Sequence, residues 1–189
     1  LFAGLGVLSK YLFVYLLLSL DIFFIYLIIK KQINFKCLIS LISFFAILSP
    51  HLIWLMENDY TTINYAIFRS VEDPLSGLGG PMFLDHALYP FIFLFKQIGI
   101  LIPFFILLFL VINKFKIKIN YKDKKFLFLF SISILPLILI FFTSMLTGAR
   151  IRTMGMAPFY LFLGIFFIYT YESLINLKKL KNFFLKFLF

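Results

Sequence analysis

Long apolar runs separated by short polar breaks dominate the chain. Stretches almost free of charge occupy Tyr11–Ile29, Cys37–Met56, Phe91–Ile112, Phe126–Leu146 and Ala157–Leu174. Each approaches the roughly 20 helical residues that cross a hydrocarbon core of about 30 Å. The runs are apolar on all sides, without the in-and-out alternation of membrane barrel strands. The pattern predicts an all-α, polytopic helical membrane protein with five transmembrane helices. Leu1–Ser9 is already apolar and reads as the truncated end of an earlier helix.

Composition narrows the class further. Of 189 residues, 63% are apolar and 14% charged, and Phe alone contributes 29. So few charges could not cover that much apolar side chain in water. A soluble globule, a disordered chain and a disulfide-rich module are therefore excluded. Cys37 is the single cysteine, which rules out an internal disulfide and a multi-cysteine metal site. His51 and His86 are far apart and give no zinc-ligand spacing. No cofactor is expected, and a divalent metal is left open.

The net charge of +10 would suggest nucleic acid on a soluble protein. Its distribution here points elsewhere. Lys30, Lys31 and Lys36 follow the first span. Lys114, Lys116, Lys118, Lys122, Lys124 and Lys125 follow the third, and Lys178, Lys179, Lys181 and Lys186 follow the fifth. The alternate connections carry only Arg69, Arg150 and Arg152. By the positive-inside rule the lysine side is cytoplasmic, which leaves the loops at 57–86 and 147–156 outside and the C-terminus inside. No nucleic-acid partner is expected; membrane lipids are.

The lysine-rich linkers read as solvated anchors near anionic lipid. The 57–86 loop differs in kind. It holds Glu57, Asp59, Glu72, Asp73 and Asp85 together with Tyr60 and Tyr65, and the turn formers Asp73-Pro74 and Gly77–Pro81. Its end, Met82–Phe95, reads as an interfacial amphipathic helix. The glycines at 77–80 lack the helix-opening Lys-Ser/Thr of a phosphate loop.

A few polar residues stand at membrane depth. Lys10, in the sequence SKY at the edge of the first span, could hold a lipid phosphate or simply snorkel. Asp21, near mid-span, costs roughly 2.5–3.5 kcal/mol on insertion scales if it faces lipid, so it should face other helices. His51 follows Pro50 and could contact a substrate or bond the carbonyl that proline frees. Trp54 fits an interfacial belt. Arg150 and Arg152, spaced by two, could form one anion-binding fork. No nucleophile–base pair or metalloprotease motif occurs.

Four segments in order resemble a known family: GLGVLSKYLFVYLLL (4–18), SPHLIWLMENDYTTINYA (49–66), HALYPFIFLFKQIGILIPFFILL (86–108) and TGARIRTMGMAPFYLFLG (147–164). Together they resemble the C-terminal part of bacterial family 39-type glycosyltransferases with the GT-C fold. These are relatives of protein O-mannosyltransferases and of aminoarabinose transferases acting on lipid A. The resemblance implies an enzyme of the bacterial inner membrane. It would move a sugar from a polyprenyl-phosphate donor to a lipid, glycan or protein acceptor at the outer face. Lys10, Arg150 and Arg152 would then bind the donor phosphate. His51, Glu57, Asp59 and Tyr60 would line the outer cavity. The family's acidic catalytic residues belong to an earlier outer loop that this chain does not contain. The family also often has Trp where Met154-Gly155-Met156 stands here. Two rivals remain: a transporter or permease fragment, and a noncatalytic membrane subunit.

Overall fold

The computed structural model describes residues 2–71, 83–111, 123–171 and Lys181. Leu1, residues 72–82 with the turn formers named above, and Lys114, Lys116, Lys118, Lys122, Lys178, Lys179 and Lys186 lie outside the described residues, as does the side chain of Arg69.

Every regular element among the described residues is helical. The apolar stretch before the first span forms α1, Phe2–Ser9, and the first span forms α2, Phe13–Ile29. Between them the chain bends. The Lys10 N–H donates to the Gly6 carbonyl at 3.1 Å, and the Ser9 hydroxyl donates to the same carbonyl at 2.8 Å. The Phe13 N–H then restarts the ladder on the Lys10 carbonyl at 2.9 Å. A 3₁₀ turn at Phe35–Leu38 leads into α3, Ile39–Glu57. Pro50, inside α3, has no N–H to offer the Ala46 carbonyl. Ser49 Oγ donates to that carbonyl at 3.0 Å, so His51 is not needed there.

The expected loop at 57–86 is shorter than the sequence suggested. Its turn chemistry is spent on Asn58–Tyr60, where Asp59 and Tyr60 adopt φ of 50° and 53°. The next eleven residues, free of Gly and Pro, form α4, Thr61–Val71. The expected interfacial helix at Met82–Phe95 is likewise corrected. α5 runs unbroken over Asp85–Val111, with Pro90 and Pro103 inside it. No turn signal after Asp85 stops the helix, so its first residues join the span.

The fourth span is a bent pair: α6, Lys124–Ser133, and α7, Leu135–Thr147, meet at 43°. Pro136, in the first turn of α7, withholds the donor that the Ile132 carbonyl would take in a continuous helix. The expected fifth span starts with a 3₁₀ stretch, Thr153–Tyr160, and continues as α8, Leu163–Tyr171.

Among the described residues, α3 and α5 are long and apolar enough to cross a membrane, and the bent pair makes a third. α2 and the 156–171 segment are apolar but shorter. The expected count of five spans is thus reduced to two or three. An apolar run counts turn and 3₁₀ residues that a continuous hydrogen-bonded helix does not include. The class stands: this is an all-α membrane protein. Its perimeter agrees, with Ile42 71%, Phe95 72% and Phe109 65% exposed, a surface matched to lipid rather than water.

α7 packs between α2 and α5, and α6 between α2 and α8, while α1 rests on α3. The core joins Phe93 of α5, Ile140 of α7 and Met156 and Phe159 of the 3₁₀ stretch, flanked by Leu12, Tyr15 and Leu16. Phe93 and Ile140 are 2% and 0% exposed.

At the other end of the bundle Asp123 caps α6. Its carboxylate accepts the Lys125 N–H at 3.0 Å and the Tyr169 hydroxyl of α8. The Tyr169 bond is the chief reason that its carboxyl sits below the ordinary 3.8. The sign follows from linkage: a group held lower in the folded state stabilises above its unfolded pKa and loses that contribution as pH falls through the folded one. The thermal midpoint should therefore fall below about pH 4. Asp123→Asn should start lower at neutral pH and lose less over the same range. Equal slopes for the two proteins would remove Asp123 from this role.

Candidate functional site

Polar side chains gather where α1 gives way to α2, α3 runs into α4, and α7 ends. The bend at Lys10–Leu12 presents Tyr11 to two other elements. Its hydroxyl lies 2.9 Å from Nε2 of His51 on α3 and 2.7 Å from Oγ1 of Thr62 on α4. The His51 ring stacks on Trp54 one helical turn away, with centroids 5.9 Å apart and planes 11° from parallel. That stacking fixes the imidazole orientation. Trp54 therefore does more than mark a membrane interface.

The end of α7 supplies the opposite wall. Gly148 takes φ of 64° and closes the helix with its N–H on the Ser144 carbonyl at 2.9 Å. This left-handed position favours glycine. Ser144, fully buried, donates to the Ala149 carbonyl at 2.8 Å and pins the turn. The chain then passes back through Arg150, Ile151 and Arg152.

Between these walls is a cavity of about 400 Å³. Tyr11, Tyr15, Tyr65, Thr143, Ile151 and Arg152 line it. Three phenol rings give it flat amphipathic walls. Arg152 gives it one permanent cation with a fork of donors suited to phosphate or carboxylate. Among the described residues its guanidinium has no hydrogen-bond or ion-pair partner. The Thr143 hydroxyl is donated to the Leu139 carbonyl at 2.9 Å, which leaves it an acceptor toward the cavity.

The sequence-derived candidates divide clearly. Arg152 is in the cavity wall, and His51 stands behind Tyr11. Lys10 is exposed on the same bend, next to Tyr11, and Arg150 is exposed on the Arg152 loop. Glu57, the last residue of α3, and Asp59 and Tyr60 in the turn that follows are exposed and are not in the cavity wall. Sequence reasoning missed Tyr11, Tyr15, Tyr65 and Thr143 as wall residues. Tyr11 had a signal, since it adjoins Lys10 at a span edge. Thr143 had a weaker one, as a hydroxyl in an apolar run.

A second cavity of about 290 Å³ sits across α7, lined by apolar groups including Pro90, Phe91, Phe141 and Met145. His86 stands at its edge and bonds the Met145 carbonyl through Nδ1 at 2.9 Å. Since a carbonyl only accepts, Nδ1 carries the proton of that bond. Among the described residues no three His, Cys, Asp or Glu side chains stand together as a metal site.

Compared with protein-family profiles, curated proteins and solved structures, the chain matches none.

Proposed function

We infer that the protein belongs to a membrane glycosyltransferase that moves a sugar from a polyprenyl-phosphate donor to an acceptor at the outer face of the bacterial inner membrane. The observation that carries this reading is the tyrosine-lined cavity with Arg152 in its wall beside the bend that bears Lys10. A sugar linked to a lipid phosphate asks for flat amphipathic walls for the ring and cations for the leaving phosphate. Lys30, Lys31, Lys36, Lys124 and Lys125 stand at the ends of α2, α3 and α6 away from the cavity, and by the positive-inside rule this supports an outward-facing cavity. Four ordered segments that resemble this enzyme class add to the reading.

The leaving phosphate gains charge in the transition state, so a cation aimed at it lowers the barrier. Arg152→Ala should reduce kcat about a hundredfold, as removal of a preorganised charge-stabilising donor does, with Lys10→Ala losing less. The measurement is sugar transfer from a polyprenyl-phosphate donor by the protein in nanodiscs. Unchanged rates for both variants would remove the proposed phosphate site.

A second reading, a transporter, is favoured by one observation. The α6–α7 break places Ser133 in a buried position, and its hydroxyl has no hydrogen-bond partner among the described residues. On other elements the Tyr160 hydroxyl and both amide atoms of Gln97 are also buried without a hydrogen-bond partner among the described residues, and Gln97 is only 4% exposed. Broken helices with polar groups at depth are how transporters build binding sites. Gln97→Leu separates the two readings. An unpaired buried amide costs about 1–3 kcal/mol. Under the transferase reading the variant should keep transfer activity and melt at a higher temperature. Loss of a solute uptake that the unsubstituted protein supports would instead establish the second reading.

A further inference from the structure

The bonds around Tyr11 form a chain with a direction. A phenol has one proton to donate and two lone pairs to accept. The imidazole Nε2 either accepts from Tyr11 or donates to it, and Thr62 does the complementary thing. In the first arrangement Thr62 donates to Tyr11 and Tyr11 donates to His51. One lone pair of the phenol oxygen then stays unused, on a residue that lines the cavity. A hydroxyl bound in the cavity completes the set by donating to it. Among the described residues no carboxylate bonds His51. Tyr11 faces it from the bend and Thr62 lies beyond on α4, while Lys10 precedes Tyr11, Glu57 ends α3 and Asp59 follows it.

We propose that Tyr11 and His51 are a proton relay serving an acceptor that reacts through a hydroxyl group, as a sugar or a hydroxyl side chain does, rather than through an anionic phosphate. An anionic acceptor arrives without a proton to lose and would need no relay. A neutral alcohol must lose one as it attacks. The acceptor O–H proton passes to Tyr11 Oη while the Tyr11 proton passes to His51 Nε2. The freed oxygen lone pair forms the bond to the anomeric carbon. The carbon–oxygen bond to the lipid phosphate breaks, with its electron pair staying on the phosphate beside Arg152. The proton rests on the imidazole and is then lost to water. Trp54 keeps the ring aligned throughout. This proposal rests on the transferase reading for the donor, but the relay itself is a statement about the cavity.

The test uses the protein in nanodiscs with a polyprenyl-phosphate sugar donor and an alcohol acceptor. Tyr11→Phe and His51→Gln should each lower kcat by a hundredfold or more, the range general-base assistance covers, with KM for the donor within about threefold. The fall of kcat toward acid should vanish in His51→Gln. Thr62→Ala removes a bond to the same phenol but leaves the relay, so it should keep the pH profile and most of kcat. If Tyr11 is merely a staple, Thr62→Ala and Tyr11→Phe will lose equal activity with the profile unmoved, and the relay is overturned. It is also overturned if Tyr11→Phe and His51→Gln both stay within about threefold of the original. If no sugar moves from any polyprenyl-phosphate donor, the transferase reading fails and the relay is judged separately. Octyl β-glucoside, as an alcohol probe, should then shift the ¹⁵N resonance of His51 Nε2 in the unsubstituted protein and not in Tyr11→Phe. Absence of a shift in the unsubstituted protein overturns the relay on its own.

Discussion

Ile140→Ala lowers the stability of the helix bundle by about 2 kcal/mol, read from unfolding in mild detergent. Ile140 is fully buried between Phe93, Met156 and Phe159, so side chains from three elements meet there. Large-to-small changes in soluble cores cost about 2–5 kcal/mol, summing lost transfer from water and a cavity term. Between helices in lipid the first part is nearly absent, because lipid is as apolar as the core. What remains is the dispersion attraction that the atoms around the new void forfeit. The expected cost therefore lies at the lower end of the soluble range. Ile140→Val should cost well under half as much. If Ile140→Ala leaves the unfolding transition unmoved, the cluster is not what joins α5, α7 and the 3₁₀ stretch.

Gly6→Val has the larger consequence for the site. A Cβ at position 6 would stand 2.5 Å from Phe13 Cε1 and 2.7 Å from Cδ1. Those are ring atoms, so the aromatic side chain or the start of α2 must move. Overpacking of this kind costs typically about 1–3 kcal/mol. The same bend carries Lys10 and Tyr11, and the Gly6 carbonyl receives the bonds that end α1. Displacing it pulls the phenol away from His51 and Thr62. We expect Gly6→Val to lose the proposed transfer activity as severely as Tyr11→Phe while also unfolding earlier. Phe13→Ala in the same chain relieves the clash and should restore much of both. Full activity in Gly6→Val would show that the bend tolerates movement.

The apolar runs made the class of fold legible, and they placed α3 within two residues of its ends, because a long uniform run leaves the chain nothing else to do. They overstated the spans wherever such a run contains a turn. Nothing in Tyr11-Leu12 distinguishes a bend from a helix, since the cause is a contact between Gly6 and Phe13. The break in the fourth span at Pro136 was not foreseen, and proline alone would not give it, since proline also sits inside unbroken helices at Pro50, Pro90 and Pro103. The difference at Pro50 is a neighbouring serine that takes up the orphan carbonyl. Arg152 could be picked out because it broke a charge rule. Tyr15, Tyr65 and Thr143 broke none, and only packing brings them to one cavity.

The lengths of α5 and the bent pair also set the depth of the cavity. Twenty-seven residues make α5 about 40 Å long at 1.5 Å per residue, some 10 Å more than a hydrocarbon core of about 30 Å. With its 43° bend, the α6–α7 pair spans about 33 Å, close to a match. The two are level at the His86–Met145 bond, so the extra length of α5 lies toward its other end, and the end of α7 stands at the edge of the hydrocarbon core. The cavity beside the end of α7 then opens at headgroup height. A molecule anchored by a hydrocarbon tail comes to it sideways, by diffusion in two dimensions, with its polar head already at the right level. One dissolved in water must descend to it.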